Sequence, residues 1–290
     1  MLGILTAILA ALLQAIGDIG KKKLTKVVSP YLVIWLPICI ALLINFIYLL
    51  IFGFPTIQWS TMLPFLIGGI FFSIFVEISF VKAISSAELS LIMPFTAFLP
   101  IVAIIFAGIF LGEIPSWFSI FGIIIVLIGS WIIFADSENN LSTFKELKEK
   151  FLSSGPRYIL EMAVWNAFFV LMFRYGSKES SSVFFATAVL LGEWLCFLTY
   201  FLIKKTNPFR ALSDNLLLAS WTGFFWGIGI TLVYVSMNLT LIAYAMAANR
   251  IHAVFVVLLS SLILKEGELK KRLPACILMV AGVIVVLLGR

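Results

Sequence analysis

The sequence predicts an all-α membrane protein of ten transmembrane helices, arranged as two inverted five-helix repeats. Three observations lead there. Of the 290 residues, 62% are hydrophobic and only 12% are charged, against roughly half apolar and a quarter charged in soluble domains. The apolar residues gather into ten runs, most of them close to the about 20 residues that a helix needs to cross a hydrocarbon core of roughly 30 Å. The chain also repeats itself: a shift of 153 residues carries Leu111-Gly112-Glu113 onto Leu264-Lys265-Glu266.

The runs lie near 2–20, 31–53, 62–82, 87–111, 117–135, 158–175, 182–203, 216–237, 240–264 and 272–289. Strong punctuation separates most of them, as at Lys21-Lys22-Lys23 to Pro30, Gly53-Phe54-Pro55, Gly112-Glu113-Ile114-Pro115 and Lys265-Glu266-Gly267. A β-barrel needs short alternating segments, whereas these runs are apolar on every face. The first run starts at Met1 with no basic residues ahead of it, so a structural span is expected rather than a cleaved signal peptide. Residues 136–157 are polar, with mixed charge at Lys145, Glu146, Lys148, Glu149 and Lys150, and read as a linker with a short surface helix at 142–152. It divides the chain into a first five-helix repeat, 1–135, and a second, 158–290.

The same shift superimposes loops as well as spans. It carries Ser29 onto Ser182, Leu49 onto Leu202, Pro55 onto Pro208, Phe71-Phe72 onto Phe224-Phe225 and Gly129 onto Gly282, with no gap. Five spans is an odd number, so each half crosses the membrane in the sense opposite to its twin. Inverted twins place a pseudo-two-fold axis in the membrane plane and a site near the midplane between them. Rocking one half against the other then exposes that site to either side in turn.

The segments Ala83-Ile84-Ser85-Ser86-Ala87 through Pro94, then Leu111-Gly112-Glu113, Gly122 and Gly129, resemble the EamA family of the drug/metabolite transporter superfamily. The second half repeats the pattern more loosely through Asn238, Ala247, Glu266 and Gly282, and departs from it where Ala247 stands opposite Pro94. The resemblance implies ten helices, a central cavity lined by spans 1, 3, 4 and their twins 6, 8, 9, and export or exchange of metabolites. It also puts Trp226 on a cavity-lining span.

The repeat separates scaffold from site. Polar residues present in both halves serve the fold: Glu113 and Glu266 sit at span ends, where a carboxylate favours the N-terminus of the following helix. Gly129 and Gly282 suggest close helix packing, as do Gly108 to Gly112 and Gly223 to Gly227, whose small faces point to contact within one monomer rather than to a dimer. The unmatched polar residues need another explanation. Arg250 lies mid-span opposite Ala97, Glu77 opposite Ile230, and Glu193 opposite Ile40. A charge at mid-membrane costs about 2.5–3.5 kcal/mol on insertion scales and so faces a partner or water. Arg250 and Glu77 read either as an internal ion pair or as an anion-binding residue and a titrating one; the readings are compatible if substrate or a proton breaks the pair.

Asn249, Arg250 and His252 cover an arc of roughly 160° at 100° per residue, too wide for lipid, and so point inward. Tyr244 adds a polar handle on the same span. Gln14 and Asp18 lie one turn apart on span 1, with Asp18–Lys22 the simplest i,i+4 pair. The expected substrate-binding set is Arg250, Asn249, His252, Tyr244, Trp226 and Gln14, with Glu77, Glu193 and Asp18 as proton-coupling candidates.

Sixteen of the 20 Lys and Arg residues fall in connections 1–2, 3–4, 5–6, 7–8 and 9–10, so the net charge of +6 concerns orientation rather than nucleic acid. That bias puts both termini outside the cytoplasm, whereas the family resemblance implies the reverse. Cys39, Cys196 and Cys276 lie in apolar runs without disulfide or metal spacing. No P-loop, nucleophile elbow or zinc motif appears, which argues against an enzyme or a cofactor. The expected function is secondary transport of a small polar metabolite, in a multi-pass protein of the plasma or inner membrane. Its partners are that solute and membrane lipid. The alternative is a flippase for a lipid-linked sugar or phospholipid headgroup, with Arg250 holding phosphate.

Overall fold

A computed structural model describes residues 1–111, 116–136, 154–239, 245, 248–266 and 269–288, all of them helix, turn or short connection. The elements are α1 (Leu2–Leu24), α2 (Pro30–Phe52), α3 (Trp59–Ser86), α4 (Leu89–Ile92), α5 (Phe98–Leu111), α6 (Trp117–Asp136), α7 (Ser154–Gly176), α8 (Ser182–Ile203), α9 (Pro208–Asp214), α10 (Leu216–Leu239), α11 (His252–Leu259) and α12 (Leu269–Leu288). Among the described residues six helices are long and apolar enough to cross a membrane: α1, α2, α3, α7, α8 and α10; shorter apolar segments lie in α6, α11 and α12. The chain is a multi-pass membrane protein. Its lipid-facing surface is apolar, with Leu43, Leu50, Ile67, Leu195 and Leu202 all well exposed.

Three elements depart from the sequence expectation. The fourth run is not one helix: α4 gives way to a 3-10 turn, Met93–Ala97, before α5 begins. Pro94 sits in the first turn of that segment and has no N–H for the helical ladder, so the chain tightens there. Span 1 runs past residue 20 to Leu24, which takes Lys21 and Lys22 into the bundle. α7 starts at Ser154 because Gly155 and Pro156 are accepted in a first turn, where a proline costs no hydrogen bond. Residues 137–153, the proposed surface helix at 142–152 among them, lie outside the described residues, as do Glu113 and Tyr244.

Local chemistry sets several helix ends. Ser181 caps α8 by accepting the Phe184 N–H at 3.2 Å. Asn207 caps α9 through the N–H groups of Phe209 and Arg210. After α11 a π turn, Ser260–Leu264, closes on Lys265 at φ 56, with Glu266 N–H returning to Ser260 O at 3.3 Å. A left-handed lysine carries strain, and here it turns Glu266 back toward the other half of the molecule.

The most extensive packing joins the two halves: α1 lies along α10, α3 along α7, and α6 along α12. α5 packs on α7, α11 on α1, and α2 on both α8 and α10. Small residues set these distances. A Cβ at Gly17 would stand 2.6 Å from Trp226 Cβ, and one at Gly229 would stand 2.8 Å from Gln14 N. Gly129 meets Met279 and Gly282 meets Gly122 O, so this twin pair does serve close packing, at the α6–α12 contact. Gly223 and Gly227 abut Ile40 and Ala41 of α2 in the same chain.

Candidate functional site

α1 presents a polar stripe to the interior. Gln14, Asp18 and Lys21 recur at i, i+4 and i+7, one face of a helix, while Gly17 and Gly20 between them let α10 come close. Each stripe residue meets another span. Gln14 Oε1 accepts from Asn249 Nδ2 at 3.3 Å. His252 Nε2 stands 2.9 Å from Asp18 Oδ2, a close approach without the alignment of a hydrogen bond. Lys21 Nζ donates to Glu77 Oε2 at 2.9 Å and lies over two rings, Trp226 at 4.0 Å and Phe80 at 5.5 Å from the centroids. Lys21 is 1% exposed and Glu77 17%.

Two sequence expectations are corrected here. Glu77 pairs with Lys21, not with Arg250; among the described residues no carboxylate pairs with Arg250. Asp18 does not bond along its own helix to Lys22. It turns to His252, while Lys22 Nζ donates to Ile84 O at 2.5 Å and Ala87 O at 2.7 Å. The physical reason is common to both. A buried carboxylate or ammonium is stabilised most by a partner it can reach inside the bundle, and a surface i,i+4 pair contributes only a few tenths of a kcal/mol.

Glu193, read as an outer-span residue, is 2% exposed. Its carboxyl lies near Ser73, Glu77 and Lys21. Trp226 is 8% exposed and forms a floor for the Lys21 ammonium. A cation held over an indole in a desolvated setting gains about 2 kcal/mol or more. Asn249 is buried and Arg250 partly exposed at the start of the last described stretch of span 9. Gln14, Asp18, Lys21, Glu77, Glu193, Trp226, Asn249 and His252 thus form one polar seam that joins α1, α3, α8, α10 and span 9.

Sequence reasoning missed Lys21. It stands within Lys21-Lys22-Lys23, which reads as a loop signal; the i, i+4, i+7 spacing from Gln14 is the feature that would have found it. The scaffold reading of Glu266 also shifts. Its Oε2 does accept an N-terminal helix N–H, but that of Leu89 in α4 at 2.7 Å, not one of the helix that follows it.

Residues 1–135 match the sequence model of the EamA-like transporter family. The first half of the chain is thus similar to that family. An uncharacterized transporter of Bacillus subtilis (strain 168), YvbV, is 27% identical over 159 residues, which cover 52% of this chain and 50% of that protein; the match thus spans about half the length of the curated relative. One solved crystal structure superimposes with a TM-score of 0.57 over 98% of this chain and 94% of the other, at 16% identity, a likeness of fold alone. α1 and α3, within the matched residues, supply three charged members of the seam, namely Asp18, Lys21 and Glu77. The second half supplies Glu193 and His252.

A pocket of about 660 Å³ lies elsewhere, at the end of α1 and the start of α10, lined by Lys23, Ser213, Asp214, Asn215, Leu216 and Trp221 among others. It shares no residue with the seam.

Proposed function

We propose that this chain is a secondary transporter that carries a small polar metabolite, of amino-acid size and with an anionic group, across the cell membrane by alternating access. The observation that carries this reading is the seam. An apolar bundle that needs only to fold has no use for an ammonium, an imidazole and three carboxylates inside its spans, each at a cost of about 2.5–3.5 kcal/mol. Functional use offsets that cost.

The packing pattern supports the inverted-twin arrangement, with 1–135 and 158–290 as the two units about a linker. If the halves are exchanged, the α1–α10 contact becomes the α7–α3 contact, and the α5–α7 contact becomes that of span 9 with α1. The α6–α12 and α2–α8 contacts map onto themselves. In this reading Gln14, Asn249, His252, Tyr244 and Trp226 line the solute site and Arg250 meets the anionic group. Proton coupling falls to the carboxylates of Glu77, Glu193 and Asp18. The solute and membrane lipid are the partners, and one monomer suffices.

The weak packing of α1 on α3 gives the cycle a physical handle. Lys21–Glu77 bridges those two helices directly. A solute carboxylate competing for Lys21, or a proton on Glu77, releases the bridge and lets the α1–α10 body move against the α3–α7 body.

The test is flux. A thermal-shift screen of amino acids, nucleosides, sugars and phosphorylated metabolites identifies a stabilising solute, whose uptake is then followed in proteoliposomes. Arg250→Ala is expected to cut uptake at least about 100-fold, as loss of a charged hydrogen bond to the solute of about 3 kcal/mol predicts, with insertion and melting temperature retained. Unchanged flux through Arg250→Ala removes it from the site.

A further inference from the structure

One end of the seam is tied down by charge. At the turn between α3 and α4, α3 ends with exposed carbonyls and α4 begins with unpaired N–H groups, as helix termini do. Lys22 and Glu266 meet these backbone groups, and Arg272 ties down two side chains of the turn. Lys22 of α1 donates to Ile84 O and Ala87 O, and its Nζ stands 3.9 Å from Glu266 Oε1. Glu266, aimed by the left-handed turn at Lys265, accepts the Leu89 N–H. Arg272 of α12 pairs with Glu88 Oε2 at 2.5 Å and also donates to the Ser90 hydroxyl. Lys22 and Glu266 are only 11% and 12% exposed, so water screens this pair little. Directly beneath, Ile19, Ile84, Leu89 and Ile92 are fully buried.

By sequence, the twin positions differ in charge. Under the 153-residue shift, Glu266 matches Glu113, but Lys22 matches Tyr175 and Arg272 matches Ser119. The twins of Ile19 and Ile84 are Met172 and Met237, both partly exposed. The repeat thus keeps the carboxylate in both halves but puts Tyr175 and Ser119 where Lys22 and Arg272 have their twins.

We infer that Lys22, Glu266 and Arg272 form a one-sided ionic latch that holds the α3–α4 turn closed across the solute path, so that the protein without solute rests shut at the face bearing the end of α1. The inference rests on the transport reading for its purpose, but not for its test. Closure at one end follows from the charge-assisted hydrogen bonds of Lys22 and Arg272, which their twins Tyr175 and Ser119, carrying no charge, do not reproduce. A solute must supply enough differential binding to break them.

The experiment measures the distance between spin labels at Lys82→Cys on α3 and Lys270→Cys on α12, in full-length protein in nanodiscs with Cys39, Cys196 and Cys276 replaced. The parent is expected to give one separation. Arg272→Glu, which sets like charges at Glu88, is expected to add a longer one and raise the open-to-closed ratio about tenfold, within the usual range of coupling between sites. Glu88→Arg/Arg272→Glu should restore the single separation. If Arg272→Glu fails to fold, Arg272→Gln gives the same readout in milder form. An unchanged distance distribution in the Arg272 variants overturns the latch, and so does a charge swap that stays open. Because no solute is added, a latch that responds in a protein with no measurable flux would leave the inference standing and sink the transport reading alone.

Discussion

Replacing Lys21 with alanine is expected to abolish transport and to lower the melting temperature sharply. Lys21 is the most deeply buried charge in the seam, with Glu77 at 2.9 Å and the Trp226 ring at 4.0 Å. Removing one partner of a buried pair leaves the other uncompensated and costs about 3–5 kcal/mol, whereas replacing both partners with apolar residues is often neutral. Lys21→Met/Glu77→Leu is therefore expected to recover most of the lost stability without recovering flux. Glu77→Gln retains the shape, and its uptake is expected to lose pH dependence if Glu77 carries the proton. Thermal unfolding and proteoliposome uptake of the three variants separate these effects. Wild-type melting of Lys21→Ala would remove the pair from the account.

The second large effect is expected at Gly17. A methyl group there would lie 2.6 Å from Trp226 Cβ and 2.9 Å from Trp226 Cα and N. Two of those atoms are backbone, so a rotamer change cannot relieve the clash and α1 must separate from α10. Overpacking of this kind costs typically about 1–3 kcal/mol. It would also carry the Trp226 ring away from Lys21. Gly17→Ala is expected to lose both folded yield and uptake, whereas an alanine at Gly53, which has no atom within 4 Å of its Cβ position, strains only its own backbone at φ 89. Equal melting temperatures for the Gly17 variant and the parent would contradict the tight α1–α10 contact.

The six long apolar helices were legible in the sequence because length and hydropathy are local properties. The twin glycines Gly129 and Gly282 were legible too, since close helix approach needs a small residue wherever the partner sits. What local reasoning could not supply was which polar residues meet across helices. Asp18 and Lys22 are ideally spaced for a pair on one helix, yet each finds its partner on another span. Lys21 reads as part of a basic loop until the first helix is seen to continue to Leu24 and carry it inside. Arg250 and Glu77 are the unmatched mid-span charges of the repeat, and nothing in their spacing distinguishes a direct pair from two separate roles. The break at Pro94 was not legible in the sequence, where 87–111 reads as one run, and the latch at the turn before it needs Lys22, Glu266 and Arg272, which lie far away in the chain.

The central claim is that the seam lines a chamber reached by water from each side in turn. A single cysteine at Gln14, in protein lacking Cys39, Cys196 and Cys276, tests it when treated in oriented proteoliposomes with a membrane-impermeant thiol reagent applied to one side at a time. The account predicts fast labelling from one side in the resting protein, labelling from the other side once the Arg272–Glu88 contact is broken, and slower labelling with solute bound. A Gln14→Cys thiol that reacts from neither side under any of these conditions would mean that the interior is dry and that the seam carries nothing.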